Sequence, residues 1–203
     1  KTMLPLKGHG LQVMSIGFLV NPDQPMVWRG PMVTSALNQL MHQTRWDALD
    51  YLIVDMPPGT GDIQLTLSQK VPVSGAVIVT TPQNIATLDA RKGLAMFRKV
   101  SISVLGVVEN MSTHVCSSCG HEEAIFGRGG AQQIVDDFDV PLLGQLPLVA
   151  HIREQTDSGV PTVLSDPTSA AASAYRMVAM RIAAAQAAKK ADYRSKFGSI
   201  VVE

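Results

Sequence analysis

The carboxylate of Asp55 follows a short apolar run, residues 51–54, and precedes a turn that contains Gly59 and Gly61. A strand buried on both faces is a continuous apolar run, so the pattern predicts a strand over residues 51–55. An Asp at the end of such a strand, beside a glycine-rich turn, can hold hydrated Mg²⁺ next to a phosphate. Glycine lacks a Cβ and lets backbone N–H groups approach an anion. A sharp structural turn remains the alternative interpretation of these residues.

A second group with ligand chemistry is the pair Cys116 and Cys119, which Gly120 follows directly. Two thiolates at this spacing can bind one metal centre from a single turn. A four-iron cluster or a tetrahedral zinc ion needs four ligands, and the chain has two cysteines. A two-fold dimer supplies four, because each subunit contributes a pair at the axis. His114 and His121 flank the pair and could instead complete a zinc site, and a redox pair is a further alternative.

Composition limits the classes of function that the chain can serve. Its 203 residues fit one domain, with 46% hydrophobic and 17% charged residues. Lys and Arg together equal Asp and Glu at 17 each, and no basic run stands out, so no nucleic-acid partner is expected. No apolar stretch reaches the length of about eighteen residues that a membrane span needs. No signal peptide precedes the chain, so we expect a cytoplasmic protein without a membrane partner.

Apolar runs that predict strands alternate with patterns that predict helices. One helix begins near Gly30 and Pro31, a second is expected to be capped by Asn84, and a third opens at Asp166 and Pro167. This alternation predicts an α/β fold with a doubly wound, largely parallel sheet, formed by one domain over residues 1–190. Residues 191–203 are expected to be a loosely attached tail. The predicted strands are residues 12–19, 51–55, 76–80, 104–108 and 142–146.

The unusual polar segments of the chain fall at the predicted carboxyl ends of these strands. Asp55 ends one strand, residues 80–84 follow the next, residues 109–111 follow the third, and residues 146–148 follow the fourth. In open parallel sheets, ligands bind at the carboxyl ends of the strands. The agreement between segments is stronger evidence for a site than any one motif.

Together these segments resemble the Mrp (ApbC-like) iron–sulfur cluster carrier ATPases, which are relatives of MinD among the deviant P-loop NTPases. The longest matching motif is Asp-Met-Pro-Pro-Gly-Thr-Gly-Asp at residues 55–62, and another is Cys-Ser-Ser-Cys-Gly at residues 116–120. The resemblance runs in order from about Leu11 to Val163. The remaining matching segments are residues 14–18, 27–32, 49–54, 79–83, 89–93, 108–112, 125–127 and 143–148.

The resemblance implies an ATPase that carries a [4Fe–4S] cluster between the two subunits of a homodimer and delivers it to apoproteins. It implies that Asp55 is the Walker B carboxylate that orients Mg²⁺, and that Gly59 belongs to the switch that senses the terminal phosphate of ATP. Asn110 would contact adenine, with Pro147 against the base. Cys116 and Cys119 would ligate the cluster. The catalytic residue is unknown, because no residue of this chain matches the water-orienting carboxylate.

One departure from the family pattern is serious. The phosphate-binding loop of the Gly-x-x-x-x-Gly-Lys-Ser/Thr type is absent, and the glycine-rich residues 127–130 lack its lysine and hydroxyl. We therefore expect the chain to be the C-terminal portion of a longer protein, without the first strand, and to bind nucleotide poorly by itself. Two alternatives remain at this point: a MinD-like positioning ATPase, which needs a basic amphipathic C-terminal helix, and a zinc-binding adaptor that is not an enzyme.

Overall fold

The computed structural model describes residues 2–21, 30–56, 71, 73–116 and 118–189. The chain divides into two compact units, Lys1–Pro72 and Val73–Glu203. No helix among the described residues has both the length and the apolar character to cross a membrane.

The first unit begins with an antiparallel hairpin of strands β1 (Leu6–Gly8) and β2 (Leu11–Val13). The two-residue turn between them has positive φ at both His9 (52°) and Gly10 (77°), as tight hairpin turns require. The prediction of a strand over residues 12–19 is therefore wrong beyond Val13. The hydroxyl of Ser15 accepts a hydrogen bond from the Gly17 N–H at 3.2 Å and starts a short 3₁₀ helix, Ile16–Phe18, instead.

Helix α1 spans Gly30–His42, which confirms the helix predicted after residue 29. The predicted strand over residues 51–55 is not present. Residues 51–56 have no strand structure, and the side chain of Ile53 is 88% exposed. A strand exists only as part of a hydrogen-bonded ladder, and none of the described residues pairs with this segment. Asp55 is therefore exposed, in a segment without regular secondary structure.

The strands of the second unit are β3 (Ala76–Thr80), β4 (Val104–Glu109), β5 (His114–Val115), β6 (Glu122–Glu123) and β7 (Leu142–Gln145). Three of them form a parallel sheet with the order β3–β4–β7. The prediction over residues 76–80 has the right bounds, β4 is one residue longer than predicted, and β7 is one residue shorter. A two-stranded antiparallel hairpin, β5 with β6, lies between β4 and β7 in sequence.

Among the described residues of this unit, five helices accompany the sheet: α2 (Asn84–Lys99), α3 (Gly130–Phe138), α4 (Ala150–Asp157), α5 (Thr162–Ser165) and α6 (Ala170–Ala187). Helix α2 begins at Asn84, so Gln83 and not Asn84 occupies the cap position. The structure describes no capping hydrogen bond from the Gln83 side chain. Helix α6 begins three residues after Pro167, where the Ser169 hydroxyl accepts from the Ala172 N–H at 3.1 Å.

Helices pack against both faces of the sheet. Val107 and Val108 are adjacent in β4 and point to opposite faces, because side chains alternate along a strand. Val107 packs with Leu94 of α2 and Ile134 of α3 in one core cluster, and all three side chains are fully buried. Val108 packs with Val178 of α6 in a second cluster. A parallel sheet covered on both faces is the predicted doubly wound α/β arrangement.

Candidate functional site

Asn110 lies directly after β4, where its backbone N–H donates a hydrogen bond of 2.7 Å to the carbonyl of Thr80 at the end of β3. Its side-chain oxygen accepts from the Met111 N–H at 2.9 Å. Met111 has a φ of 56°, so the chain bends sharply at this point. A carbonyl oxygen has a second lone pair and the amide NH₂ has two donors, so the half-buried Asn110 can pair with the edge of a base.

Glu109, the last residue of β4, is a buried carboxylate that is 2% exposed. Its Oε2 accepts from the Ala131 backbone N–H at 2.9 Å, and its Oε1 accepts from the Gln145 amide at 2.7 Å. Ala131 lies in the first turn of α3, where a negative charge is favoured by the helix dipole. Sequence reasoning assigned no role to Glu109. The available signal was one acidic residue ending the apolar run of β4.

The glycine-rich turn of residues 127–130 leads into α3. Gly129 has a φ of 76°, and a Cβ on Gly130 would lie 2.4 Å from the carbonyl oxygen of Pro82. The turn is therefore packed closely against the end of β3. An amide of the helix that follows already binds the carboxylate of Glu109. The N-terminus of α3 therefore binds a side chain of the protein itself. This agrees with the sequence of the turn, which lacks the lysine and the hydroxyl of a phosphate-binding loop.

Backbone hydrogen bonds between residues 109–114 and residues 146–148, termed the ladder, extend the pairing of β4 with β7 from the last residue of β4 onward. Three backbone bonds form it, with N···O distances of 2.8 to 3.0 Å. Pro147 lies in the middle of the second segment and is half-buried. The donors and acceptors are Leu146 N–H to Glu109 O, Ser112 N–H to Leu146 O, and Leu148 N–H to Thr113 O.

Two side chains reinforce the ladder. The hydroxyl of Ser112, a buried residue, donates to the carbonyl of Leu146 at 3.1 Å. The imidazole of His114 lies with Nδ1 3.1 Å from the carbonyl oxygen of Leu148. Since a carbonyl oxygen only accepts, Nδ1 carries the proton in this contact. His114 and Leu148 also form a parallel β-bridge, so the ladder ends where strand β5 begins.

The two cysteines lie at the tip of the hairpin formed by β5 and β6. The Cys116 N–H donates to the carbonyl of His121, and the Gly120 N–H donates to the carbonyl of Cys116, both at 2.9 Å. Gly120 has a φ of 71°, a conformation that glycine adopts without strain. Both cysteines are free thiols; Cys116 is half-buried and Cys119 is exposed. The sequence prediction of one turn that carries both sulfur atoms agrees with this geometry.

Hydrogen bonds within this turn act on the thiol of Cys116. The backbone N–H of Cys119, then that of Ser118, and then the Cys119 thiol lower the pKa of Cys116 from its ordinary value of 9.0, against a small opposing effect of burial. Donors that point at a sulfur stabilise its anion. The thiolate is the form that binds metals, so the turn favours the ligand form of Cys116.

Among the described residues, no group of three or more His, Cys, Asp or Glu side chains is arranged to hold one metal ion. The imidazole of His114 is directed to Leu148 by its Nδ1, and the structure does not bring it or His121 together with both sulfur atoms. The pair supplies two thiolates, half of the four ligands that a tetrahedral zinc ion or a four-iron cluster needs.

The remaining predicted site residues lie in the first unit. Asp55 is exposed in the segment 51–56. Gly59 lies outside the described residues. Asn110, Pro147, Cys116 and Cys119 all lie in the second unit, and the ladder connects the segments that carry them.

The fold and the comparisons define the class of protein. The chain has the doubly wound α/β fold of the MinD-like P-loop NTPases. A family model described as the NUBPL iron-transfer P-loop NTPase, of the ParA group, matches residues 1–183. The chain therefore belongs to this family, as the sequence motifs indicated.

Relatives with assigned names cover most of this chain. An iron–sulfur cluster carrier protein from Pseudomonas fragi is 59% identical over 180 residues, which are 89% of this chain and 63% of the relative. The Escherichia coli K12 protein of the same name is 57% identical over 90% of this chain and 49% of its own length. The mouse iron–sulfur cluster transfer protein NUBPL is 52% identical over 89% of this chain and 56% of its own length. The chain thus spans about half to three fifths of these relatives.

Solved structures agree with the family assignment. A nucleotide-binding protein from Archaeoglobus fulgidus, in complex with ADP and with cobalt found in it, has a TM-score of 0.65 and 31% identity. The match covers 78% of this chain and 61% of that protein. The cell division ATPase MinD of Pyrococcus furiosus has a TM-score of 0.53 and 27% identity over 68% of this chain and 53% of its own.

Proposed function

We propose that this chain carries iron–sulfur clusters, and that it holds a [4Fe–4S] cluster between two copies of itself through Cys116 and Cys119. One observation carries the proposal: two free thiols lie on one hairpin turn, and hydrogen bonds there favour the thiolate of Cys116. Two pairs of such thiols complete the ligand set of a four-iron cluster. The names of the bacterial and mouse relatives support the same cargo.

The exposed position of the pair supports a transfer function. Cys119 is exposed, and the hairpin that carries it consists of two-residue strands. A cluster bound there would be reachable by an acceptor protein, whereas a permanent electron-transfer centre is usually shielded. We infer that the cluster is cargo, which passes to apoproteins of the cytoplasm. The chain acts as a homodimer.

The proposal includes a nucleotide cycle. ATP and Mg²⁺ would bind with Asp55 orienting the cation through water and Gly59 sensing the terminal phosphate. The base would be bound by Asn110 and Pro147, which lie on the ladder beyond β4 and β7. The ADP complex of the Archaeoglobus relative supports nucleotide binding, and the ATPase relative supports hydrolysis. Positioned backbone donors and the cation would stabilise the charge that develops on the phosphate.

The cargo is tested by anaerobic reconstitution of the complete gene product with iron and sulfide. Iron, sulfide and zinc are then assayed together with the molecular mass in solution. About four irons per dimer are expected. The double variant Cys116→Ser, Cys119→Ser should take up none, while Ser118→Ala, which keeps both sulfurs and the backbone donors of the turn, should be loaded normally. One zinc per dimer and no iron would contradict the carrier and favour the adaptor.

The nucleotide cycle is tested separately. Asp55→Ala in the complete gene product should abolish ATP hydrolysis, because the hydrated cation loses its carboxylate. Asp50→Ala, at an exposed Asp just before the apolar segment, is the matched control and should keep the rate. Unchanged hydrolysis by Asp55→Ala would show that the Walker B assignment is wrong.

A further inference from the structure

Asn110, proposed to bind the base, and Cys116, proposed to bind the cluster, are separated by only five residues. The hydrogen bonds of the ladder hold the segment between them in place. Hydrogen bonds hold Ser112, Thr113 and His114 to residues 146–148, so the connection has little freedom to move independently of its partner segment. Pro147 lies on that partner segment. A base that contacts both Asn110 and Pro147 would therefore clamp the two sides of one hydrogen-bonded unit.

His114 is placed at the junction of the ladder and the cysteine hairpin. Its side chain donates to Leu148 across the ladder, and its backbone belongs to β5, two residues before Cys116. Its register partner in the hairpin is Glu123 of β6. One residue thus fixes the hairpin against the end of the ladder. Ser112 plays the equivalent part nearer to Asn110, with its hydroxyl and its N–H both donating to the carbonyl of Leu146.

We propose that His114 and Ser112 are positioning residues that link the two sites, so that an adenine nucleotide tightens metal binding by the cysteine pair. This inference rests on the proposed function. The link runs through the base and the ladder, and it does not require the terminal phosphate or the switch that contains Gly59. Binding of the base restricts both segments of the ladder, so less freedom remains to be lost when the thiols close on a metal. By reciprocity, metal at the pair tightens the nucleotide by the same factor.

The test uses Co²⁺ as a probe of the thiol pair in the complete gene product under anaerobic conditions. Absorption from thiolate-bound cobalt gives the Co²⁺ affinity without ligand, with ADP, and with pyrophosphate. ADP should raise the affinity about fivefold or more, which is the lower range of measured couplings between sites. Pyrophosphate should leave it unchanged, because it has no base to bind Asn110 and Pro147.

Side-chain variants test the route of the link. His114→Phe keeps a ring but cannot donate to Leu148, and Ser112→Ala removes one donor to Leu146. Both variants should still bind ADP and Co²⁺ separately, with the ADP effect reduced to about one. His114→Asn should restore most of the effect, because its amide can donate from nearly the position of Nδ1. The control is His121→Phe, an exposed histidine on the opposite side of the turn, which should couple like the unchanged protein.

The possible failures separate this inference from the proposed function. If ADP and Co²⁺ both bind but neither affects the other, the link is overturned while the two sites stand. If pyrophosphate couples as strongly as ADP, the phosphate switch carries the effect and the ladder does not. If His114→Phe and Ser112→Ala couple normally, the two residues have no positioning role. If neither ligand binds, the proposed function fails, and the inference fails with it.

Discussion

Glu109 and Gln145 are register partners at the carboxyl ends of two neighbouring parallel strands, and their side chains are joined by a hydrogen bond of 2.7 Å. The carboxylate is buried and also accepts from the N-terminus of α3. One acidic side chain thus fixes the relative position of β4, β7 and α3. The segments that carry Asn110 and Pro147 start directly from this point.

Replacement of Glu109 should destabilise the protein. Glu109→Ala leaves the buried Ala131 N–H without its acceptor, which costs about 1–3 kcal/mol in the free energy of unfolding. Glu109→Gln keeps one acceptor oxygen but presents an NH₂ group to the second donor, so its loss should be smaller. Urea unfolding followed by circular dichroism measures both losses. Glu123→Ala, at an exposed carboxylate of β6, is the control, and a loss for Glu109→Ala no larger than the control would contradict the buried network.

Asn110→Ala should weaken binding of ADP to the complete gene product by about threefold to tenfold, the worth of one net hydrogen bond. Binding of pyrophosphate should be unchanged, because the amide is proposed to contact the base alone. Isothermal titration calorimetry with the two ligands measures the difference. Asn84→Ala, at the exposed first residue of α2, serves as the control. An equal loss for both ligands would show that Asn110 acts on the phosphates or on folding.

The lowered pKa of Cys116 predicts a specific pH dependence of its alkylation. In Cys119→Ser, iodoacetamide reacts with Cys116 alone, and the backbone donors of the turn are retained. A lowered pKa means that the thiolate persists to lower pH, so the midpoint of the rate profile should lie below the ordinary value of 9.0. The same variant unfolded in urea should show the ordinary midpoint. Coincident profiles for the folded and unfolded protein would contradict the effect of the turn.

The three strands of the parallel sheet are predictable because each begins with apolar residues, and the central strand is also buried on both faces. Val104–Glu109 illustrates this, with five of its six residues buried. Residues 51–55 have the same apolar character. A strand also needs a neighbouring strand to pair with, and apolar composition does not show whether that partner is present. The short hairpin β5–β6 escapes prediction for a different reason, because strands of two residues carry no readable period.

The candidate site is only partly predictable. The turn that carries Cys116 and Cys119 follows from their spacing and from Gly120. The ladder does not, because it consists of backbone hydrogen bonds between segments more than thirty residues apart, as between Ser112 and Leu146. The contact of His114 with Leu148 could not be predicted from the sequence for the same reason. A histidine beside two cysteines therefore suggests a metal ligand until its hydrogen-bond partner is known.

Two glycine substitutions should change stability in opposite directions. Gly130→Ala places a Cβ 2.4 Å from the Pro82 carbonyl oxygen, in fixed backbone, and should cost about 1–3 kcal/mol of unfolding free energy through the forced shift. Gly93→Ala, inside α2 with no described atom within 4 Å of the new Cβ, should add about 0.5–1 kcal/mol, because alanine loses less freedom in a helix. Urea denaturation of both variants against the unchanged protein measures the signs. If Gly130→Ala left the free energy of unfolding unchanged, the turn before α3 would not be packed closely against the end of β3.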